Sequence, residues 1–231
     1  MHNPLKSLTR REWMIWLISL AIVTISNLAP GNVDLLTLTA TWIGVTALIL
    51  AAKGNVWVQI LITVFSILYA VISWKFRYWG EMITYLGMTL PMAVWSTITW
   101  LRNPSESGKE VAIRRLTRRH VALLLISGAV VTALFWYLLR LFDTPNLALS
   151  TLSIATSFFA AALTMLRSSY YALGYAANDL VLILLWLLAS IENPAYLPVL
   201  VNFVIFFLND MYGFFSWRKR EAVQFAAECG A

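Results

Sequence analysis

The feature that most constrains this chain is a series of long apolar segments along nearly its whole length. Most of them are long enough to cross a hydrocarbon layer of about 30 Å as a helix that rises about 1.5 Å per residue. The pattern therefore predicts an all-α membrane protein with eight spans, of which the first is the shortest. The predicted spans are 13–29, 35–52, 55–74, 82–101, 121–142, 147–166, 171–191 and 196–217.

The composition favours the same class. Hydrophobic residues make up 60% of the chain and charged residues 12%, whereas a soluble domain has about 45–50% apolar and about 25% charged residues. The one cysteine, Cys229, excludes a disulfide framework. The basic segment KSLTRRE precedes the first span without a small-residue cleavage site, so we expect a retained helix rather than a signal peptide.

The basic residues divide unevenly between the two sides of such a bundle. With eight spans, only Lys75, Arg77 and Arg140 of the 17 Lys and Arg residues fall on the side opposite the termini. Lys and Arg concentrate on the cytoplasmic side of membranes, which predicts that both termini are cytoplasmic. The net charge of +6 then reflects topology, and we interpret the cluster RRLTRRH as a cytoplasmic loop rather than a nucleic-acid surface.

The spans also indicate an internal repeat. Aligning Trp100 with Trp217 pairs three helices before the fifth span with three helices after it. One linking helix between two triplets makes the repeats parallel, as in several transporters whose sites lie between the repeats. The predicted organisation is a tail with an additional helix, a first three-helix repeat, a basic loop with a linking helix, a second three-helix repeat and a C-terminal tail, at 1–34, 35–103, 104–146, 147–217 and 218–231.

Two Asn-Asp pairs lie inside these apolar segments. Asn178 and Asp179 belong to the seventh span, and Asn209 and Asp210 belong to the eighth. An ionisable group near the middle of a membrane costs at least about 2.5 kcal/mol unless it faces a cavity or a partner. The sequence offers no evident buried countercharge, so the pairs predict a water-filled cavity or a polar ligand.

Helical spacing groups aromatic and polar side chains on single faces. Tyr171, Tyr175 and Asn178 share one face of the seventh span, and a similar stripe along the eighth span runs from Asn202 through Phe206 to Asn209. Aromatic faces and amides suit a nucleoside, which has a ring to stack and ribose hydroxyls to hydrogen-bond. The candidate substrate-binding residues are Gln59, Tyr85, Thr89, Tyr171, Tyr175, Asn178, Asp179, Trp186, Asn202, Phe206 and Asn209.

Several of these residues have a second interpretation. Amides and hydroxyls in membrane helices often only hold helices together. Asp179 either contacts substrate or orients a neighbouring helix, and Trp186 either stacks on a ring or lies at the membrane interface. Because Asp210 is rotated by about 100° from its neighbour, we expect Asn209 to hold the ligand while Asp210 faces headgroup water.

The segments that carry these stripes resemble the PnuC vitamin transporters, whose best-known members carry nicotinamide riboside. The resemblance runs from about residue 35 to 219 and rests on YWGEM with a following PM, on YYALGYAANDLVLILLW and on NFVIFFLNDMYGFFSW. It implies a three-one-three fold similar to that of the SWEET sugar transporters, with the span at 13–29 as an addition. It also implies facilitated diffusion of a vitamin nucleoside across the bacterial inner membrane, with trapping by a separate cytoplasmic kinase and without cofactor or metal.

One departure from that family concerns the ring that is carried. The family has a W-x-x-W-x-x-x-N motif, and alignment on Asn178 places Tyr171 and Gly174 at its two Trp positions, with Tyr175 beside the second. The asparagine is kept and both tryptophans differ. The resemblance therefore leaves thiamine, riboflavin and deoxynucleosides open beside nicotinamide riboside.

Other classes of function are less compatible with the residues. The histidines, His2 and His120, lie outside the spans, and no G-x-S-x-G motif occurs, so we do not expect an intramembrane enzyme. No phosphate-binding loop occurs either, which argues against ATP-driven pumping by this chain alone. A binding subunit that does not transport, proton coupling through Asp179 and a homo-oligomer all remain compatible with the sequence.

Overall fold

The computed structural model describes residues 4–29, 34–75, 79–105, 108, 110–144 and 146–230, the last four by their backbone alone. Those residues form a helical bundle without β-strands, as predicted. The predictions that concern His2, Arg77, Lys109 and the Cys229 side chain lie outside this part. The helices are α1 Arg10–Leu28, α2 Leu35–Ala52, α3 Trp57–Lys75, α4 Trp79–Thr84, α5 Leu90–Leu101, α6 Arg118–Leu141, α7 Leu147–Met165, α8 Tyr171–Glu192 and α9 Leu197–Gly230.

Seven helices in the described ranges are long and apolar enough to cross a membrane. The fourth predicted span differs, because it consists of α4, a π-helical turn at Tyr85–Thr89 (the π-turn) and α5. The Leu90 N–H bonds to the Tyr85 carbonyl, and Pro91, which has no N–H, follows at the start of α5. Such wider turns are frequent at functional sites. The count of eight spans stays a prediction.

Polar side chains define where helices begin. The Thr9 hydroxyl accepts a hydrogen bond from the Glu12 N–H, and the Glu12 carboxylate accepts one from the Thr9 N–H, which makes a capping box at the start of α1. Asp34 caps α2 by accepting from the Leu36 N–H at 3.1 Å. These caps satisfy backbone donors that have no partner within the helix.

The helices pack as two groups of three. Within one group α3 contacts both α2 and α5, and within the other α8 contacts both α7 and α9. The groups meet through α2 against α9 and through α5 against α7. Helix α6 packs on α7, and α1 packs on α2 and α9. Helices α6 and α1, which correspond to the predicted linking helix and additional helix, therefore both lie on the periphery of the six-helix arrangement.

Two tryptophans join the groups in a reciprocal way. Trp100 Nε1 at the end of α5 donates to the Thr164 carbonyl of α7 at 2.9 Å, and Trp217 Nε1 of α9 donates to the Ala51 carbonyl of α2 at 2.8 Å. The two ring centroids are 5.6 Å apart. Each bond runs from the third helix of one group to the first helix of the other. Twofold-related repeats would make such contacts, although the repeat itself stays a prediction.

The end of the bundle at which α1 begins is closed by polar contacts and a loop. Lys53 Nζ lies 2.9 Å from the Glu12 carboxylate, and the Tyr212 hydroxyl donates to the same carboxylate at 3.1 Å. The loop between α5 and α6 crosses this end, where the Gln224 amide bonds to both the N–H and the carbonyl of Ile113. These contacts hold α1, α2, α9 and the loop together. We call this the terminal end.

Candidate substrate cavity

A cavity lies between the two groups of three helices. Helices α2 and α3 and the π-turn line one side, helices α7, α8 and α9 line the other, and none of the described lining residues comes from α1 or α6. The cavity offers about 70 Å³ to the centres of water-sized molecules, several times the roughly 10–15 Å³ that one buried water needs. Its polar lining residues are Gln59, Tyr85, Thr89, Ser157, Thr164, Tyr171, Tyr175, Asn178, Asp179 and Asp210.

Aromatic rings bound the cavity at both ends. Toward the end opposite the termini, Phe65 lies 6.0 Å from Tyr85 and 6.1 Å from Phe206 between ring centroids. Toward the terminal end, the Tyr171 ring lies 4.6 Å from the ring of Trp217. Flat apolar walls with polar groups between them are the usual composition of a site for a small ring-containing molecule.

Asn178 is oriented by its neighbour α7. Its side-chain oxygen accepts hydrogen bonds from the Thr156 hydroxyl at 2.8 Å and from the Ser157 hydroxyl at 2.9 Å. An amide oxygen has two lone pairs, so these bonds occupy it fully. The amide N–H donors are the part of Asn178 that remains for a ligand. The two hydroxyls therefore act as a fixed support behind a cavity-lining amide.

Asp179 of α8 and Asp210 of α9 bring two carboxyl groups to the same cavity. They are 4% and 3% exposed, and both line the cavity from the adjacent helices α8 and α9. Asp179 Oδ2 and the Tyr171 hydroxyl are buried atoms that have no hydrogen-bond partner among the described residues. The described residues that line the cavity include no Lys, Arg or His. The electrostatic character of this cavity is therefore acidic.

The structure brings together eight of the eleven residues predicted for a substrate site. Their spacing along separate helices converges on one cavity because each lies on the inward face of its helix. Their role in binding stays a prediction. The eight are Gln59, Tyr85, Thr89, Tyr171, Tyr175, Asn178, Asp179 and Phe206.

The face of α9 that meets the cavity is rotated from the face that the sequence predicted. Relative to Phe206, Asp210 lies about 40° to one side and Asn209 about 60° to the other, at about 100° per residue. The cavity contacts the Phe203, Phe206 and Asp210 side of α9. Asp210 was therefore wrongly assigned to headgroup water, and it is a lining residue that the sequence analysis missed. The deep Asn-Asp pattern was the available signal, but it did not distinguish the two members of this pair.

Asn209 and Asn202 instead hold helices together. Asn209 Nδ2 donates to Ser19 Oγ of α1 at 3.0 Å and to the Ile205 carbonyl at 2.8 Å. Asn202 Nδ2 donates to Thr41 Oγ1 of α2 at 2.9 Å, beside a separate and smaller pocket. The prediction that these amides face the main cavity is wrong because α1 and α2 cover their side of α9.

Trp186 does not line the cavity either. It is 1% exposed and packs edge-to-face on Tyr196, with ring centroids 5.7 Å apart. It belongs to the apolar cluster toward the end opposite the termini and not to the cavity lining, while its predicted role as a stacking group or an interfacial residue stays a prediction. A tryptophan in an apolar segment gives no signal that separates these three environments.

The structure leaves no room for the tryptophan that the motif has at residue 174. A Cβ atom at this position would lie 2.9 Å from the Ala160 Cα of α7, which is closer than side chains approach a backbone. Helices α7 and α8 are therefore packed too tightly here for a tryptophan at residue 174. Tyr175, one position on, points to the cavity instead.

A second polar pocket lies apart from this cavity, toward the end opposite the termini. Glu81 at the start of α4 is 7% exposed and lines it together with Thr144 and Glu192. Glu81 does not line the main cavity. It is thus a buried carboxyl within the bundle that can be compared with Asp179 and Asp210.

Residues 34–219 match the sequence model of a family described as nicotinamide mononucleotide transporter. The chain is 27% identical over 183 residues to the nicotinamide riboside transporter PnuC of Neisseria mucosa, which covers 76% of this chain and 69% of that relative. It is 26% identical over 178 residues to the nicotinamide riboside transporter PnuC of Haemophilus influenzae, which covers 76% of each chain. The fold matches a crystal structure of the vitamin B3 transporter PnuC with a TM-score of 0.81 and 22% identity, over 94% of both chains.

Proposed function

The chain belongs to the nicotinamide mononucleotide transporter family, and we propose that it carries nicotinamide riboside across the bacterial inner membrane by facilitated diffusion. Members of this family are multi-pass membrane transporters, so the chain is a transporter rather than an enzyme. In the proposed orientation both termini are cytoplasmic. The observation that carries the proposal is the cavity between the two helix groups, where aromatic rings, amides and carboxyls converge.

The cavity favours a phosphate-free nucleoside over the mononucleotide. A phosphate group is held best by a cationic fork such as a guanidinium. The described lining residues provide no cation, and Asp179 and Asp210 would repel a phosphate. Ribose hydroxyls, in contrast, can pair with the amides of Gln59 and Asn178. The riboside is therefore the better fit of the two forms.

The same chemistry supports trapping by a separate kinase. Once a cytoplasmic kinase has added a phosphate, the product carries the group that this cavity disfavours. Return through the transporter would then be slow, and net uptake would continue down the gradient of the riboside. This chain has no phosphate-binding loop of its own.

The alternative substrates are thiamine, riboflavin and deoxynucleosides. They remain candidates because Tyr171 and Gly174 replace the two tryptophans of the motif, and Tyr171 lines the cavity. A deoxynucleoside lacks one of the hydroxyls that the amides could bind, and riboflavin is much larger. Calorimetric titration of purified protein with all four compounds would rank them.

Transport is tested by reconstitution into liposomes. We expect labelled nicotinamide riboside to enter down its gradient until the concentrations are equal, and unlabelled riboside to compete with it. A hundredfold excess of the mononucleotide should compete only weakly. Uptake no faster than in protein-free liposomes would refute transport, and equal competition by the mononucleotide would refute the proposed selectivity.

A further inference from the structure

The Asp179–Asp210 pair is the feature whose chemistry the proposed transport leaves unexplained. Both side chains are more than nine-tenths buried, and they come from adjacent membrane helices. Neither forms an ion pair within the described ranges, and Asp179 Oδ2 has no hydrogen-bond partner. A buried acceptor without a partner costs about 1–3 kcal/mol and more when it is charged. Such a group is expected to have a ligand.

The closeness of the two carboxyls determines how many protons the empty pair holds. Two ionised carboxylates have no donor between them and repel each other, whereas one carboxylic acid can donate to one carboxylate. Two carboxyls that line one cavity, with no cation among its described lining residues, are expected to hold one proton and one negative charge rather than two negative charges. A ligand that replaces this proton must itself be positively charged.

The surroundings favour an organic cation over a metal ion. The part of the chain that the structure describes contains no group of three or more His, Cys, Asp or Glu side chains placed to hold a metal. The pair faces a cavity walled by aromatic rings of Phe65, Phe206 and Tyr175. An aromatic wall attracts a flat cation through its π-face as well as through the hydrophobic effect. A ring that carries delocalised positive charge fits both features.

We propose that Asp179 and Asp210 bind the positively charged ring of the substrate and release their shared proton to the cavity water as it binds. This inference rests on the proposed function, in which the substrate is a riboside of a pyridinium ring. The proton returns to the pair when the ring leaves, so no covalent bond changes. The pair is then the specificity determinant that distinguishes the charged ring from an uncharged ring of the same shape.

The other ionisable groups that face the pair set the pH range in which this exchange is visible. They are phenols, Tyr85 from the π-turn with Tyr171 and Tyr175 from α8, and the described lining residues of α2, α3, α7 and α9 add no further ionisable group beyond Asp210. Phenols stay protonated at neutral pH. Affinity for the charged ring should therefore rise as the pH is raised through the range in which these phenols stay protonated, since the released proton is less able to compete. Affinity for an uncharged ring should not rise.

Two ligands test this without any substitution. Nicotinamide riboside carries a pyridinium, and its reduced form carries an uncharged dihydropyridine on the same ribose. Calorimetry on the purified full-length protein should show at least about tenfold tighter binding of the charged form at pH 8, equivalent to about 1.4 kcal/mol. Titration in buffers of different ionisation enthalpy should show about one proton released for the charged form and none for the reduced form.

Substitutions test whether Asp179 and Asp210 cause the preference for the charged ring. Asp179→Asn and Asp210→Asn should each remove most of the preference for the charged ring and its pH dependence. Glu81→Gln removes a similarly buried carboxyl outside the cavity and should leave both unchanged, with elution volume as the control for folding of all three variants.

The outcomes separate the two proposals. Equal affinity of wild-type protein for both ribosides, no proton release, or an unchanged preference in both Asn variants would overturn this inference while leaving riboside transport intact. If neither riboside binds, the proposed function fails and the inference fails with it.

Discussion

The two Asn-Asp pairs have the same letters in adjacent helices, yet the bundle uses them differently. In α8 both Asn178 and Asp179 line the cavity, whereas in α9 only Asp210 does and Asn209 turns to Ser19 of α1. Helix α8 contacts α7 and α9, its neighbours in the second group, while α9 is also covered by α1 and α2. The helices packed around a polar residue therefore decide whether it lines the cavity or holds helices together.

The energies of the two asparagines should differ accordingly. Hydrogen bonds between membrane helices contribute about 0.6 kcal/mol on average. An amide that pairs with a ligand in a closed cavity leaves that ligand group unsatisfied when it is removed, at about 1–3 kcal/mol. Matched substitutions at the two positions therefore test whether the two asparagines have different roles.

The largest effect is expected for Asn178→Leu. Its loss removes the amide donors that face the cavity and should weaken nicotinamide riboside binding by roughly 5- to 150-fold, at about 1.4 kcal/mol per tenfold. Calorimetry on purified protein measures this, and an unchanged elution volume shows that the fold is kept. A change of less than about threefold would mean that Asn178 serves only the packing of α8 against Thr156 and Ser157.

Asn209→Leu is expected to have a smaller effect, which is a loss of stability rather than of riboside affinity. Because Asn209 bonds to Ser19 of α1, the variant should lose about 0.6 kcal/mol of stability, and at most about 1.7 kcal/mol, with riboside affinity changed by less than about threefold. Denaturant unfolding in micelles gives the first quantity and calorimetry gives the second. A larger loss of affinity for Asn209→Leu than for Asn178→Leu would invert the comparison.

Asn178 and Asn209 also show which features of the structure could be predicted from the sequence. The apolar lengths predict the helices because a membrane leaves few other structures for such segments, and the buried Asp179 predicts a cavity because an unpaired charge is costly. The rotation of α9 was not predictable in this way. Helical spacing shows which residues share a face, but not which face meets a neighbour, and the partner of Asn209 is 190 residues away in α1.

The packing at Gly174 is a second feature that the sequence could not predict. The missing tryptophan raised the question of a different ring, whereas the structure shows that α7 and α8 approach too closely for that side chain. Close helix approach depends on both partners, here on Ala160 as much as on Gly174. The tryptophan motif alone therefore could not predict the close approach of α7 and α8.

A third prediction concerns Asn202, which takes the same packing role as Asn209 toward α2. A double-mutant cycle with Asn202→Leu and Thr41→Val should give a coupling of about 0.6 kcal/mol in unfolding free energy, because the two side chains share one hydrogen bond. Riboside affinity should change by less than about twofold in all three variants. Zero coupling would show that the bond is not formed in the membrane-embedded state.

The smallest effect is expected for Asp34→Asn, measured as a change in the pH dependence of stability. Asp34 lies outside the spans, whereas Asp179 and Asp210 are buried within them. Burial alone raises the pKa of Asp34, but the Thr37 hydroxyl, the Leu36 N–H and Lys75 lower the pKa by more, so it lies below its usual value. A lowered carboxyl pKa stabilises the fold above the pKa of the unfolded chain, about 3.9, and this contribution is lost as the pH falls through the folded-state pKa.

Wild-type protein should therefore lose slightly more stability than Asp34→Asn when the pH falls from 5 to 3, as measured by thermal unfolding in micelles. Asparagine can still accept a hydrogen bond from the Leu36 N–H, but its amide nitrogen cannot accept the bond that Asp34 Oδ2 accepts from the Thr37 hydroxyl at 2.9 Å, so the substitution removes the charge and that bond together. The ion pair with Lys75 spans 3.5 Å and both side chains are more than a third exposed, which limits the difference to about 0.2 kcal/mol, the lower end of the range for surface pairs. Identical pH profiles would mean that neither Lys75 nor the Thr37 hydroxyl contributes measurably to stability at this site. The contrast with Asp179 and Asp210 would then rest on burial alone, since the same side chain has a measurable electrostatic role only where water is excluded.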